Sequence, residues 1–150
     1  MCTVWYMKRL FEVTHVIDAS AERVWEVMAD VTRWPEWTPT VSAVRRLDDG
    51  PFGVGSRVEL QQPRLPKAVW EVTELVEGRG FTWESTGPGI RSIARHEVGP
   101  HGGGATVTLS VEQTGPMGAV AALVWRGLTQ RYVETEARSL EQRVSAGTAR

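Results

Sequence analysis

The sequence contains little cysteine and no long apolar run. Its 150 residues include one cysteine, Cys2, which cannot form an internal disulfide and is typical of proteins from reducing compartments. No segment approaches the roughly 20 consecutive apolar residues that a membrane-spanning helix needs. Residues 1–13 do not resemble a signal peptide, because a basic pair follows their first apolar residues and Glu12 interrupts the next run. We therefore expect a cytoplasmic protein without a membrane span.

An excess of charge of either sign is also missing. The sequence has 17 Lys and Arg residues against 18 Asp and Glu residues, which gives a net charge of -1, and it contains no basic cluster. Affinity for nucleic acids depends on neutralising phosphates with basic side chains. We therefore expect no nucleic-acid partner.

The sequence also lacks the usual arrangements of metal, phosphate and nucleophile sites. Its histidines, His15, His96 and His101, are far apart along the chain. The glycine-rich segments "GPFGVG" and "GPHGGG" do not lie between a strand and a helix, as a phosphate-binding loop does. No GxSxG motif or Cys/His signature of a catalytic nucleophile occurs. We predict neither a metal site nor a cofactor.

Tryptophan, in contrast, is abundant: there are seven Trp residues against three Phe and two Tyr. The shares of hydrophobic residues (41%) and charged residues (23%) are typical of a globular protein. The length corresponds to one domain, residues 1–150. Wide, rigid indole rings suit either a large core or a ligand pocket.

Alternation of apolar and polar residues predicts a first strand at residues 11–17. A helix follows with Ser20 as its N-cap, and it should end near Arg33 because Pro35 pushes the preceding residue out of the helical region. Short Gly- and Pro-rich gaps then separate six more strands and allow hairpins but not parallel crossovers. These strands are predicted at residues 40–48, 55–62, 67–76, 80–86, 90–98 and 105–113.

A long final helix is predicted over residues 117–146, with Gly147 just past its end, and it is the only element large enough to cover one face of the sheet. Its apolar residues form two stripes that lie more than a third of a turn apart around the helix axis, and the first stripe gives way to the second near Gly127. The first stripe contains Val120, Ala121, Val124 and Leu128, and the second contains Val133, Ala137, Leu140 and Val144. Either the helix bends near Gly127, or its two halves contact different parts of the protein.

Strand alternation also assigns the inner face of the sheet. A hairpin between residues 90–98 and 105–113 places His96 opposite Val107, on the apolar side. The complete inner set is Trp70, Val72, Glu74, Phe81, Trp83, Ala94, His96, Val107, Leu109 and Val111. Two of these residues are polar. Either both line a partly wet pocket, or a bulge turns Glu74 outward and His96 bonds to a backbone carbonyl.

Several segments resemble one known superfamily. "IDASAERVWEVMADVTRWPEWTPTV", "GPMG" and "EARSLEQRV" are similar to the START-like, Bet v 1-like superfamily, and most of all to polyketide cyclase/dehydrase-type SRPBCC proteins. The resemblance covers nearly the whole chain. It implies an α+β helix-grip fold, in which a curved seven-stranded antiparallel sheet surrounds the long C-terminal helix and two short helices after the first strand close one end.

In that fold a cavity separates the sheet from the helix, and our first hypothesis is that it binds a small hydrophobic molecule (a lipid, quinone or polyketide-like compound) for carriage or sensing. The second hypothesis is a polyketide cyclase/aromatase-type enzyme that uses His96 and Glu74 as acid and base. A third is a protein-interaction domain, which would need an exposed apolar patch. We expect a monomer or a homodimer. The expected ligand contacts are Trp34, Trp37, Trp70, Phe81, Trp83, His96, Leu128, Arg131 and Tyr132, although Trp34 and Trp37 could instead only close the end of the sheet.

Overall fold

Seven strands form one antiparallel sheet, as the sequence predicted. The computed structural model describes residues 9–117, 120, 124 and 126–148, except for the side chains of residues 9 and 146–148. The strands are β1 (Arg9–Ile17), β2 (Ala43–Arg46), β3 (Arg57–Gln61), β4 (Ala68–Val76), β5 (Gly80–Gly87), β6 (Ile90–His101) and β7 (Gly104–Thr114). Their order across the sheet is β1-β7-β6-β5-β4-β3-β2, so the first strand joins the last one at one edge.

Two short helices connect β1 to β2. Helix α1 (Ala21–Ala29) begins after Ser20, whose hydroxyl accepts a hydrogen bond from the backbone N of Arg23 at 3.1 Å, as an N-cap does. The predicted end near Arg33 is wrong. Asp30 leaves the helical region (φ -85°, ψ 69°), and a separate 3₁₀ helix, α2 (Val31–Glu36), follows and contains Pro35.

The C-terminal helix α3 (Arg126–Thr148) packs its second apolar stripe into the core. Residues of the first stripe lie in a different environment, because Val120 and Val124 are exposed and Leu128 is only half-buried. Ala121 lies outside the described residues. The sequence predicted that the helix ends before Gly147, but the helix continues to Thr148. Glycine stops a helix only where it adopts the left-handed conformation, and near a terminus it need not do so. The buried stripe consists of Val133, Ala137, Leu140 and Val144.

The β6–β7 hairpin has the predicted face but not the predicted register. His101 pairs with Gly104 across a two-residue turn in which Gly102 has a φ of 58°, a conformation that favours glycine. This tight turn moves each pairing by two residues, so His96 lies opposite Leu109 rather than Val107. Because the shift is an even number, every side chain keeps its face.

A β-bulge in β4 changes the face of the residues that follow it. Val72 pairs with Trp83, but the next pairing joins Glu74 to Thr82, so one additional residue is inserted in β4. Glu74 is therefore exposed, and Leu75 packs against the core in its place. The assignment of Glu74 to the inner face was wrong, and the alternative that a bulge turns it outward is confirmed.

Candidate functional site

A small cavity lies between the inner face of the sheet and α3. The space in which a water-sized molecule can be centred is about 60 Å³. The cavity is partly open to solvent and is smaller than the roughly 150 Å³ of an engineered apolar cavity that binds benzene, so it can enclose only a small molecule or part of a larger one. The cavity is lined by Trp34, Leu60, Gln62, Trp70, Trp83, Ala94, Arg95, His96, Leu109, Ser110, Val111, Val133 and Glu136.

His96 is the central polar residue of this cavity. The residue is 5% exposed, and its ring stacks on Phe81 with centroids 4.4 Å apart and an interplanar angle of 11°. The indoles of Trp34 and Trp83 approach the same imidazole at centroid distances of 5.3 and 5.6 Å. Aromatic rings thus fix the orientation of the imidazole, and Phe81 acts behind the cavity wall rather than in it.

A carboxylate on α3 faces the imidazole. Nε2 of His96 lies 3.5 Å from Oε1 of Glu136, and the two side chains are only 6% and 14% exposed. A carboxylate only accepts hydrogen bonds, so it favours a proton on Nε2 of His96, whether the imidazole is neutral or charged. The sequence left open that His96 instead bonds to a backbone carbonyl, but no such hydrogen bond is present among the described residues.

Two buried nitrogen atoms in the wall have no hydrogen-bond partner among the described residues. They are Nδ1 of His96 and Nε1 of Trp70. Buried polar atoms are almost always paired with protein, water or ligand, because leaving one unpaired costs about 1–3 kcal/mol. The side chains of His96 and Trp70 therefore each carry one unpaired buried nitrogen within a largely apolar site.

Glu136 was missed from the sequence, and Glu74 was chosen instead. A usable signal was present, because Glu136 follows Val133 by three residues and precedes Leu140 by four, which places it beside the buried stripe of α3. The prediction of ligand contacts followed the other stripe, which leads to Arg131.

The aromatic residues after α1 close one end of the sheet. Trp34 is 1% exposed, and its Nε1 donates to the backbone O of Met28 at 3.1 Å. Trp37 is half-buried and contacts the edge of Trp34, with centroids 5.8 Å apart. Trp34 thus combines the two roles considered from sequence, closing the end and lining the cavity, whereas Trp37 lies outside the wall.

Three expected contacts on α3 do not belong to the wall of this cavity. Arg131 is exposed, and its Nε donates to the backbone O of Gly127 at 3.4 Å. The hydroxyl of Tyr132 donates to the backbone O of Pro63, which ties α3 to the loop between β3 and β4. Leu128 is half-buried. The helix contributes Val133 and Glu136 to the wall instead.

A second histidine–glutamate pair connects the sheet to α3 away from this cavity. Nδ1 of His15, on β1, lies 3.3 Å from Oε1 of Glu141. The His15 side chain is 24% exposed and that of Glu141 is 41% exposed.

Across residues 9–117, 120, 124 and 126–148, no group of three or more His, Cys, Asp or Glu side chains could hold a metal ion. In the same residues, every helix is too short or too polar to cross a membrane.

Comparison with known families gives one match over most of the chain. The family described as "Polyketide cyclase / dehydrase and lipid transport" matches residues 8–145. A search of curated proteins finds no match.

Solved structures with this fold include enzymes. The Zhui aromatase/cyclase from Streptomyces sp. R1128 is 17% identical, with a TM-score of 0.77 over 93% of this chain and 94% of that one. Norcoclaurine synthase from Thalictrum flavum, in complex with dopamine and hydroxybenzaldehyde, is 14% identical, with a TM-score of 0.73 over 95% and 90% of the two chains. The protein TTHA0849 from Thermus thermophilus is 20% identical, with a TM-score of 0.74 over 93% and 99%. At these identities the likeness shows the fold alone.

Proposed function

Because the chain belongs to the polyketide cyclase/dehydrase and lipid transport family, we propose that it binds a small, largely hydrophobic molecule between the sheet and α3, for carriage or sensing. The cavity itself, lined by three indoles and by the mostly buried pair of His96 and Glu136, carries this proposal. A ligand with an apolar body and a polar end would cover the indole and aliphatic side chains of the wall and place its polar end beside His96 and Glu136.

The cavity volume restricts how much of a ligand can be enclosed. Typical pockets for drug-sized ligands measure about 300–1,000 Å³, whereas this space is about 60 Å³. A lipid or a multi-ring polyketide would extend through the opening of the cavity, or would require α3 or the β3–β4 loop to move outward. Tyr132, which bonds to Pro63, would then lose its partner.

A cavity-filling variant tests the proposal. Val111→Phe adds a ring at the wall, and Val16→Phe makes the same change at a site on β1 that is 57% exposed. Tryptophan emission would be titrated with one-ring aromatics, quinones and fatty acids, since three indoles line the cavity. The wild type and Val16→Phe should respond to at least one class, and Val111→Phe should not. No response of the wild type to any class would contradict the proposal.

The second candidate function is acid/base catalysis of the cyclase or aromatase type. The pairing of His96 with Glu136 favours it, because a carboxylate that orients an imidazole inside a cavity is a common arrangement for a general base. Two of the structural neighbours are also enzymes by description, an aromatase/cyclase and a synthase.

Matched carboxylate variants test catalysis separately from binding. Glu136→Gln keeps the shape of the side chain but removes its charge, so turnover of a polyketide-like substrate should fall by roughly 10²-fold or more while binding is retained. Glu74→Gln, on the exposed face, is the control and should leave turnover unchanged. Equal turnover of both variants would remove Glu136 from the mechanism.

A further inference from the structure

We infer that the opening of the cavity is a second subsite that binds a carboxylate of the ligand, with Arg126 as its cation and Ser85 and Ser92 as hydrogen-bond donors. The inference rests on the proposed function and adds to it. Besides the polar end beside His96 and Glu136, the ligand carries an acid group at the opening. Three features support this subsite: a polar row of the sheet, the position of Arg126 on α3 and the charge of that part of the chain.

A row of polar side chains borders the cavity on the inner face of the sheet. Three wall residues are paired with one another across β5, β6 and β7, namely Trp83, Ala94 and Val111. Two residues further along the same strands, Ser85 pairs with Ser92, and Ser92 pairs with Gln113. Because side chains alternate and neither register shifts here, this polar row shares the face of the wall and lies roughly 7 Å nearer the β5–β6 turn. Ser85 and Ser92 are only half-buried, so a ligand can reach them.

Arg126 lies on the side of α3 that faces the sheet. It precedes Val133 by seven residues, or about two helical turns, so both side chains leave the helix in nearly the same direction. Val133 is 5% exposed and lines the cavity, whereas Arg126 is exposed. Before α3 begins, the backbone N of Met117 donates to the backbone O of Gly89, in the β5–β6 turn, at 2.7 Å. Arg126 therefore lies between that turn and the cavity wall, over the polar row.

No acidic side chain in the neighbouring sequence neutralises Arg126. Residues 113–133 contain two arginines, Arg126 and Arg131, and neither Asp nor Glu. The next carboxylate, Glu134, accepts a hydrogen bond from Nε2 of Gln130 at 3.0 Å. Within the described residues Arg126 forms no ion pair. A free guanidinium is planar and can bind a carboxylate through two parallel hydrogen bonds.

The pair of His96 and Glu136 does not oppose an anion at the opening. Glu136 follows Arg126 by ten residues, or about 15 Å along the helix. This distance exceeds the Debye length of about 8 Å at physiological salt, so the protonation of the pair has little effect on a carboxylate near solvent. The opening is also partly solvated, and an anion there loses less hydration than it would inside the cavity.

Three probes with the same phenol body test the subsite. They are 3-(4-hydroxyphenyl)propionate, the corresponding alcohol and the corresponding amine, which end in an anion, a neutral group and a cation. Calorimetry at low salt and about pH 7 should give the affinity order acid, alcohol, amine, with the acid bound roughly fivefold more tightly than the alcohol. The preference for the acid should largely disappear in roughly 1 M salt, because ions screen an exposed pair.

Matched arginine variants locate the cation. Arg126→Gln should abolish the preference for the acid and leave the affinity for the alcohol unchanged. Arg131→Gln is the control, because Arg131 is exposed and leaves the helix about 140° away from Arg126, and it should keep the preference. Ser92→Ala removes one donor and should weaken the acid roughly threefold. Thermal unfolding checks that each variant is folded.

The outcomes separate this inference from the proposed function. If the alcohol binds and the acid binds no more tightly, the cavity holds a ligand but the inference is wrong. Equal losses in Arg126→Gln and Arg131→Gln would assign the preference to the overall charge of the helix and overturn the subsite. If no probe binds, the inference fails, and the proposed function fails with it when quinones and fatty acids also give no response.

Discussion

The two histidine–glutamate pairs have the same chemistry in different surroundings. Each joins a strand to α3: His96 on β6 to Glu136, and His15 on β1 to Glu141. The first pair is 6% and 14% exposed, and the second is 24% and 41% exposed. Water screens the second pair, whereas the first is enclosed by aromatic rings and borders a cavity. The comparison shows that surroundings, rather than residue type, make the first pair a candidate site.

The largest expected effect comes from removing one partner of the buried pair. His96→Leu leaves the mostly buried Glu136 carboxylate without its imidazole and should lower the free energy of unfolding by about 3 kcal/mol. The matched variant His15→Leu should cost about 1 kcal/mol or less. Urea unfolding measures both.

A double variant sharpens this result. His96→Leu with Glu136→Leu removes both polar groups and should recover most of the lost stability, since apolar residues often replace a buried ion pair without cost. If the double variant is as unstable as His96→Leu, the loss comes from packing rather than from an uncompensated carboxylate.

The aromatic enclosure of His96 gives the next largest effect. Trp34→Phe removes the hydrogen bond to the backbone O of Met28 and leaves a gap beside the imidazole, so it should cost about 2 kcal/mol. The control, Trp37→Phe, changes a half-buried indole and should cost less than about 1 kcal/mol. Equal costs in urea unfolding would show that the enclosure does not depend on Trp34.

Salt should affect the two pairs differently. A double-mutant cycle on His15 and Glu141 at about pH 6 should give a coupling of about 0.5 kcal/mol that largely disappears in roughly 1 M salt. The coupling between His96 and Glu136 should change much less, because ions do not screen a buried pair effectively. Similar salt dependence of the two couplings would contradict the difference in surroundings.

The smallest effect concerns a carboxylate outside both pairs. The backbone N–H of Arg57 hydrogen-bonds to Asp48 and, with a smaller contribution from Arg46, lowers the pKa of Asp48 below its usual 3.8. The stabilisation is therefore present above pH 3.8 and is lost as the pH falls through the lower pKa of the folded state. Asp48→Asn should flatten this part of the stability curve, measured by urea unfolding between about pH 2 and 5. An unchanged slope would show that Asp48 does not contribute to it.

Sequence patterns predicted much of the site because strand alternation has a period of two. The alternation placed His96 and Trp83 on the inner face although the β6–β7 register was wrong by two residues, since an even shift keeps the face. The inserted residue in β4 is an odd shift, and it moved Glu74 outward. A bulge depends on how neighbouring strands twist and pack, which the alternation within one strand does not reveal.

The sequence by itself determined the order of strands and helices, the antiparallel sheet and the inward position of His96, because these depend on local periodicity and on short connections. Only the tertiary structure decided that Glu136 faces His96 and that the cavity is small. Both depend on how α3 is rotated about its axis and how closely it approaches the sheet. Side chains distant in sequence set that packing together, so no single segment encodes it.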